Sequence, residues 1–243
     1  MTCRYMLIAS GGLAALLTLP SLGFAQSLGS AGSFAVLAGS TVTNTGATSL
    51  LGSVGVSPGS GITGLPAGQP SSGSIHDNDG VAAQAQSDLT VAYNALAGMA
   101  CGTNLTGQDL GGKTLGPGVY CFNTSAGLTG ILTLDGQSNP NGAFVFQIGS
   151  TLTTALNARV DMINGAQNTN VYWQVGSSAT LGSGTVFSGN IVALASITLT
   201  TSATVSGRAL ARTGAVTMDT NFVGDPSTPT LPSSWGTLKV LYR

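Results

Sequence analysis

Phe144-Val145-Phe146-Gln147-Ile148-Gly149-Ser150-Thr151-Leu152-Thr153-Thr154 contains two short runs of strand-forming residues separated by Gly149-Ser150, and a third run, Ala158-Arg159-Val160-Asp161-Met162, follows it. β-Branched and aromatic side chains suit a pleated surface, while glycine and serine suit the turns between strands. The same trio recurs along the chain. Its first member returns as Val119-Tyr120-Cys121-Phe122, Val171-Tyr172-Trp173-Gln174-Val175, Ile191-Val192-Ala193-Leu194-Ala195 and Ala209-Leu210-Ala211-Arg212. The second returns as Gly127-Leu128-Thr129, Ser178-Ala179-Thr180, Ile197-Thr198-Leu199-Thr200 and Val216-Thr217-Met218-Asp219. The third is seen in Ile131-Leu132-Thr133-Leu134, Thr185-Val186-Phe187 and Thr204-Val205. Three strands in a unit of roughly 18 to 27 residues describe a three-sided coil that stacks on its neighbours.

Working outward, Phe34-Ala35-Val36-Leu37-Ala38-Gly39-Ser40 runs into Thr41-Val42-Thr43 with the same signature, far upstream of the other units. A Gly/Pro/Ser stretch, Ser57 to Gly73, reads as loop. A helix is expected over about 79–97. Val81, Ala82, Ala85, Leu89, Ala92, Tyr93 and Leu96 share one face, Asp77, Asn78 and Asp79 offer N-caps, and Gly98 is a stop. A coil built from residues 34–43 must therefore stack on coils made much later, with the helix inserted in sequence between them. The expected fold is all-β with one long helix: an irregular, discontinuous right-handed β-helix of triangular section with the α-helix packed alongside.

Residues 1–25 read as a secretory signal: Arg4 gives a basic start, Tyr5 to Leu19 is apolar, and Gly23-Phe24-Ala25 offers small cleavage-site residues. Ser10, Gly11 and Gly12 interrupt the apolar stretch, which is shorter than the roughly 20 residues of a membrane span. The domain is expected over 26–223. Residues 224–243, with Pro226, Pro229 and Pro232 ahead of Trp235, read as a linker and short tail. A secreted, monomeric protein with no membrane span after signal removal is the resulting expectation. Without Arg4 the chain has six Lys and Arg against eight Asp and no Glu, a net charge of −2. Nucleic acid is excluded as a partner on this balance, because binding it rests on clustered cations. Charged residues make up 6% of the chain, so the surface must be mostly Thr, Ser, Asn, Gly and Ala. Cys101 and Cys121 remain after Cys3 leaves with the signal. An even pair in an exported chain favours a disulfide over two buried thiols, and closing this loop would stabilise by about 3 kcal/mol in the chain-entropy model.

Several motifs imitate catalytic or ligand sites. Gly107 to Thr114 satisfies the phosphate-loop pattern, but Leu115-Gly116-Pro117-Gly118 follows where a helix would have to begin, so no nucleotide is expected. Gly55-Val56-Ser57-Pro58-Gly59 matches a nucleophile elbow whose oxyanion donor would be Pro58, which has no N–H. His76 is the sole histidine and reads as a loop or capping residue. Asp77-Asn78-Asp79-Gly80 lacks the closing Glu of a calcium loop and is better explained by helix capping. Asn104-Leu105-Thr106 and Asn123-Thr124-Ser125 fit the glycosylation pattern. No catalytic residue, metal or cofactor is expected, and the chain does not read as an enzyme.

Leu28 to Gly46, Gly52 to Gly59, Leu105 to Gly112, Pro117 to Phe122, Phe144 to Thr154 and Asn221 together resemble the bacterial and fungal ice-binding-protein family of discontinuous β-helix fold. The similarity runs from about Leu28 to Val223. It implies a triangular β-helix with a helix along its side, adsorbing to an ice crystal through one flat face.

The second strand set is the best choice for that face. The first places Tyr172, Gln174 and Arg212 outward and the third carries Arg159 and Asp161, groups that are bulky or hold their own water. With Val42, Leu152, Ala179 and Leu199 inward, alternation turns Thr41, Thr43, Thr151, Thr153, Ser178, Thr180, Thr198 and Thr200 outward, and Thr129 and Thr217 extend the column. Threonine offers a methyl and a hydroxyl on a stiff, β-branched side chain. Thr45, Thr48, Thr154, Asn157, Thr201 and Thr204, at the following corner, are secondary candidates for widening the site. Threonine is also favoured on any solvated sheet. A secreted adhesion or matrix module with the same fold is the competing reading, and a polysaccharide-processing β-helix would need an acid cluster that eight scattered Asp do not form.

Overall fold

Each short strand puts one side chain into a shared interior and the next outside, because successive Cβ atoms alternate across the pleat. In the computed structural model, which describes residues 27–225, successive coils pair in parallel on three faces. The first face holds Phe34–Ala38, Ser53–Val56, Gly118–Phe122, Phe144–Ile148, Val171–Val175 and the C-terminal halves of Val186–Ala193 and Thr204–Ala211. Its two ends are Ile75–Asp77 and Thr103–Asn104. The second face runs Ala126–Leu128, Leu152–Thr154, Ala179–Leu181, Ile197–Leu199, Val216–Asp219, Val42–Thr45, Ile62–Thr63. The third contains Thr114–Leu115, Ile131–Asp135, Arg159–Ile163, the N-terminal halves of the two long strands, Phe222–Gly224 and Ser49–Leu51. The long strands turn between the third and first faces at Gly189 and Gly207, with φ of +112° and +147°. A Cβ on Gly207 would lie 2.1 Å from the Gly189 carbonyl oxygen, so only glycine lets these two coils close up.

The discontinuity is visible in the register. Val36 pairs with Ala209, Val42 with Val216 and Leu50 with Val223, so the first coil in sequence sits on the last one. Residues 57–73, expected as loop, also build part of a coil: Ile62–Thr63 pairs with Val42–Thr43 and Ser72 bridges to Leu51. Glycine and proline obscured a strand only two residues long. At the C-terminal end of the described residues, Phe222–Gly224 is a paired strand and Asp225 is buried. The expected signal and the remainder of the tail lie outside the described residues.

The interior is mostly apolar, with a few hydrogen-bonded polar groups such as Asn44, Thr48, Thr154 and Thr185 buried among the hydrophobic side chains. Phe146 stacks on Trp173 with centroids 3.9 Å apart and planes at 8°, Tyr120 lies beyond Phe146 at 5.4 Å, and Phe187 closes on Trp173 at 4.8 Å. These rings come from neighbouring rungs, held in line because Tyr120, Phe146 and Trp173 are in register. The indole N–H of fully buried Trp173 donates to the Ser188 carbonyl at 3.0 Å, so burying the ring strands no donor.

The helix, Gly80–Ala97, starts where Asp79 accepts hydrogen bonds from the Val81 and Ala82 N–H groups. His76 supports that cap, with Nδ1 2.8 Å from the second Asp79 carboxylate oxygen. Ala85, Leu89, Ala92, Tyr93 and Leu96 pack on Leu37, Leu210, Val192, Val145 and Tyr172, which point outward from the first face. That apolar outer surface is what draws the helix there. Tyr172 and Gln174, expected to face water, therefore lie buried beneath it, and the Arg212 guanidinium sits 4.6 Å over the Tyr93 ring. At the far end the Gln147 side-chain amide donates to the Leu96 and Met99 carbonyls, and the Cys101–Cys121 disulfide ties the exit loop to the adjacent strand.

Asp88 pins the segment ahead of the first coil to this helix. One carboxylate oxygen accepts from the Ser30 hydroxyl and N–H, both at 2.7 Å, and the other from Gln84 at 2.8 Å. These bonds hold the Asp88 carboxyl below the ordinary aspartate value of 3.8. Because the folded value is the lower one, the stabilisation is full above the unfolded value and is lost as pH falls through the folded value. The melting temperature should therefore hold from neutrality down to about pH 4 and decline below it, and the decline should be shallower in D88N. In the core, Trp173→Ala should cost about 3–5 kcal/mol in denaturant unfolding.

Candidate functional site

Register, more than composition, singles out the second face. Its inward positions are Ala126, Leu152, Ala179, Ile197, Val216 and Val42, all buried, with Ile62 packed partly against them. The next residue on every rung points out. Gly127 pairs with Thr153, Thr153 with Thr180, Thr180 with Thr198, Thr198 with Thr217, Thr217 with Thr43, and Thr43 with Thr63. Six threonines thus form one unbroken column. At the usual spacing of about 4.8 Å between paired strands the seven rungs span about 29 Å. The hydroxyls of Thr63, Thr153, Thr180 and Thr198 make no hydrogen bond to protein among the described residues, while Thr43 donates to Thr217 at 3.3 Å.

A second line lies on the N-terminal side of the inward residues. It contains Ser125, Thr151, Ser178, Ser196, Ala215, Thr41 and Gly61, joined through the backbone bonds of Thr151, Ser178, Ser196, Ala215, Thr41 and Gly61 to the rungs beside them. Here the side chains are partly used: Thr151 donates to Ser125 at 2.8 Å, Ser178 accepts from the Ser196 N–H and Ser196 from the Ala215 N–H. The two lines carry no charged side chain. Charges that hold water tightly lie off these two lines, as in the Arg159–Asp161 ion pair of the third face.

The residues singled out from the sequence fall into three groups. Thr43, Thr153, Thr180, Thr198 and Thr217 share the central column, and Thr41, Thr151 and Ser178 share the flanking line. Thr200 and Thr129 lie one step further along. Thr198 and Thr200 both turn outward, and the register places them in different lines: Ile197 is the rung's counterpart of Val42, so Thr198 takes the central place and Ser196 the flanking one. The Thr200 hydroxyl donates to the Leu181 carbonyl at 2.7 Å, and the Thr129 hydroxyl to Asp109 at 3.1 Å.

The corner set is dispersed. Thr45 is exposed beside Thr43, and Thr201 is exposed at the edge, where it donates to Asp219. Asn157 occupies a turn at φ +56°, and Thr204 belongs to the third face. Thr48 and Thr154 are buried and do not reach the surface. Thr48 donates to the Asn44 side chain and accepts the Asn221 N–H, while Thr154 pairs with Thr185 at 2.8 Å and accepts the Gly182 N–H. Their hydroxyls satisfy polar groups where the chain turns, a use that alternation of polarity does not reveal. Thr63, Ser125 and Ser196 were missed. Ile62-Thr63 repeats Val42-Thr43 and Ser196-Ile197-Thr198 repeats Thr41-Val42-Thr43, so the signal was present but weak.

The catalytic look-alikes have structural uses. In the phosphate-loop pattern, Asp109 accepts the N–H groups of Gly111 and Thr129, and Thr114–Leu115 is a strand, not the start of a helix. Ser57 is buried, and Asp77 accepts the Gly61 N–H. A cleft of 360 Å³ at the corner of the first and third faces is lined by Phe34, Gly52, Ser72, Arg208 and Asp225 among others, with one acidic residue and no histidine. That lining offers neither a carboxylate pair nor a nucleophile with a base.

The comparisons with known proteins agree with this architecture. A family model described as ice-binding-like matches residues 36–224. An ice-binding protein of Nostoc sp. (strain HG1) is 59% identical over 199 residues, covering 82% of this chain and 73% of the relative. An ice-binding protein of Flavobacterium frigoris (strain PS1) is 32% identical over 212 residues, covering 82% and 76%. The crystal structure of an ice binding protein from an Antarctic biological consortium superposes with a TM-score of 0.77 at 46% identity, covering 82% of this chain and 90% of that one. That of an ice-binding protein from the Antarctic ascomycete Antarctomyces psychrotrophicus gives 0.78 at 39%, covering 83% and 98%. With a family model matching most of its length and several relatives above 30% identity, the chain belongs to the ice-binding-like family.

Proposed function

We propose that this protein is exported and adsorbs to ice, limiting crystal growth, through the second face of its β-helix. The observation that carries the reading is the column Thr63, Thr43, Thr217, Thr198, Thr180, Thr153, in register across six rungs with the flanking Ser/Thr line beside it. Each contact with frozen water is weak, so recognition needs many identical contacts at fixed spacing. Rungs about 4.8 Å apart and outward residues about 6.6 Å apart along a strand give a grid near the repeat distances of ice. The β-branched threonine holds its rotamer on that grid before ice arrives, which reduces the ordering cost of adsorption. The helix leaves this face open because it covers the first one. No catalytic step is assigned to the protein. The signal-like N-terminus and the Cys101–Cys121 disulfide support an extracellular setting.

A bulky side chain in mid-column should hold ice away from several rungs at once. T180Y should reduce thermal hysteresis at least tenfold while circular dichroism and melting temperature stay unchanged. At the end rung, T63Y should retain about half of the activity. Full activity in folded T180Y would exclude the second face.

A further inference from the structure

The second face has a third outward line that is chemically unlike the other two. After the inward residues Leu128, Thr154, Leu181, Leu199, Met218 and Asn44 come Thr129, Ala155, Gly182, Thr200, Asp219 and Thr45. Thr45 pairs in register with Asp219, and both point to the same side as Thr43 and Thr217. A carboxylate therefore stands about 6.6 Å along the strand from the central threonine column.

The Asp219 carboxylate is held in place. One oxygen accepts the Thr201 hydroxyl at 2.6 Å and the other the Thr220 hydroxyl at 3.0 Å. An ionised carboxylate offers about four acceptor sites, so these two bonds leave room for water. Asp219 is partly exposed, and stripping water from a charge is costly. At the opposite end of the same line, Asp109 takes up both the hydroxyl and the N–H of Thr129. The middle of the line is Ala155 and Gly182, which bring no hydroxyl.

We infer that Asp219 sets the width of the ice-contacting surface, confining it to the two uncharged lines by holding its own hydration shell at the level of the third. The inference rests on the second face being the one that meets ice. It makes Asp219 a limit on activity: without its charge, Thr45 and Thr200 on the neighbouring rungs would lie level with the threonine column and add to the contact.

The test compares D219N, D219T and T180Y with the wild-type protein by thermal hysteresis at equal concentration, with melting temperature and circular dichroism measured alongside. D219N keeps the shape and one acceptor for the Thr201 or Thr220 hydroxyl. D219T completes the Thr45–Thr200 line. The expected result is about a twofold rise in hysteresis for D219N and at least that for D219T. If T180Y is inactive while both folded Asp219 variants match or fall below the wild type, the width assignment is overturned and the face stands. Loss of the folded state in both Asp219 variants would make the residue a structural latch and would equally overturn it. If T180Y stays active, the face itself is wrong.

Discussion

The parallel hydrogen-bond ladder sets the position of every other group in this molecule. Once Val36 is bonded across to the strand of Ala209, and Ala209 lies in line with Ile191, each side chain stands directly over its counterpart on the next rung. Alternation then does the sorting: an apolar residue enters the prism and its neighbour leaves it. On the second face the inward pair Leu152–Ala179 and the outward pair Thr153–Thr180 are two consequences of the same ladder, seen from its two sides. A shift of one residue in any coil would exchange them, and the apolar interior makes such a shift prohibitive.

Given that ladder, the three faces diverge by what their outward positions carry. Leu37, Leu210, Val192 and Val145 make the first face sticky, and the helix covers it with its own apolar stripe. The third face carries Arg159, Asp161 and Asp135 and stays wet. The second carries hydroxyls and methyls without charge along its two principal lines, leaving it bare and stiff. Stability is supplied by the interior, the covered face and the polar corners such as Thr48–Asn44 and Thr154–Thr185, which leaves the hydroxyls of Thr63, Thr153, Thr180 and Thr198 in the central column without a structural hydrogen bond among the described residues.

Much of this was legible in the sequence, for identifiable reasons. The strand trios and the early segment at residues 34–43 carried enough alternation to give a discontinuous coil, and the Asp79 cap and the apolar spacing gave the helix nearly to the residue. Thr43, Thr153, Thr180 and Thr217 were legible because each follows a plainly apolar inward residue. Thr63 was not, since glycine and proline surround its two-residue strand. The line to which Thr200 belongs was not legible, because Ile197 and Leu199 both point inward on that rung, so counting alone gives two registers, and only the pairing with Val216 decides between them. Thr48 and Thr154 were read as surface residues because a hydroxyl buried for a turn looks the same in sequence as one exposed for a ligand.

The proposed mode of adsorption depends on which face meets ice. The most direct measurement is partition into slowly growing ice of two tyrosine-substituted proteins, one altered at Thr153 on the second face and one at Thr133 on the third, each checked for an unchanged fold. The Thr133 variant is expected to enter the ice as the unaltered protein does, and the Thr153 variant to stay in the liquid. Exclusion of the Thr133 variant together with uptake of the Thr153 variant would contradict that mode of adsorption.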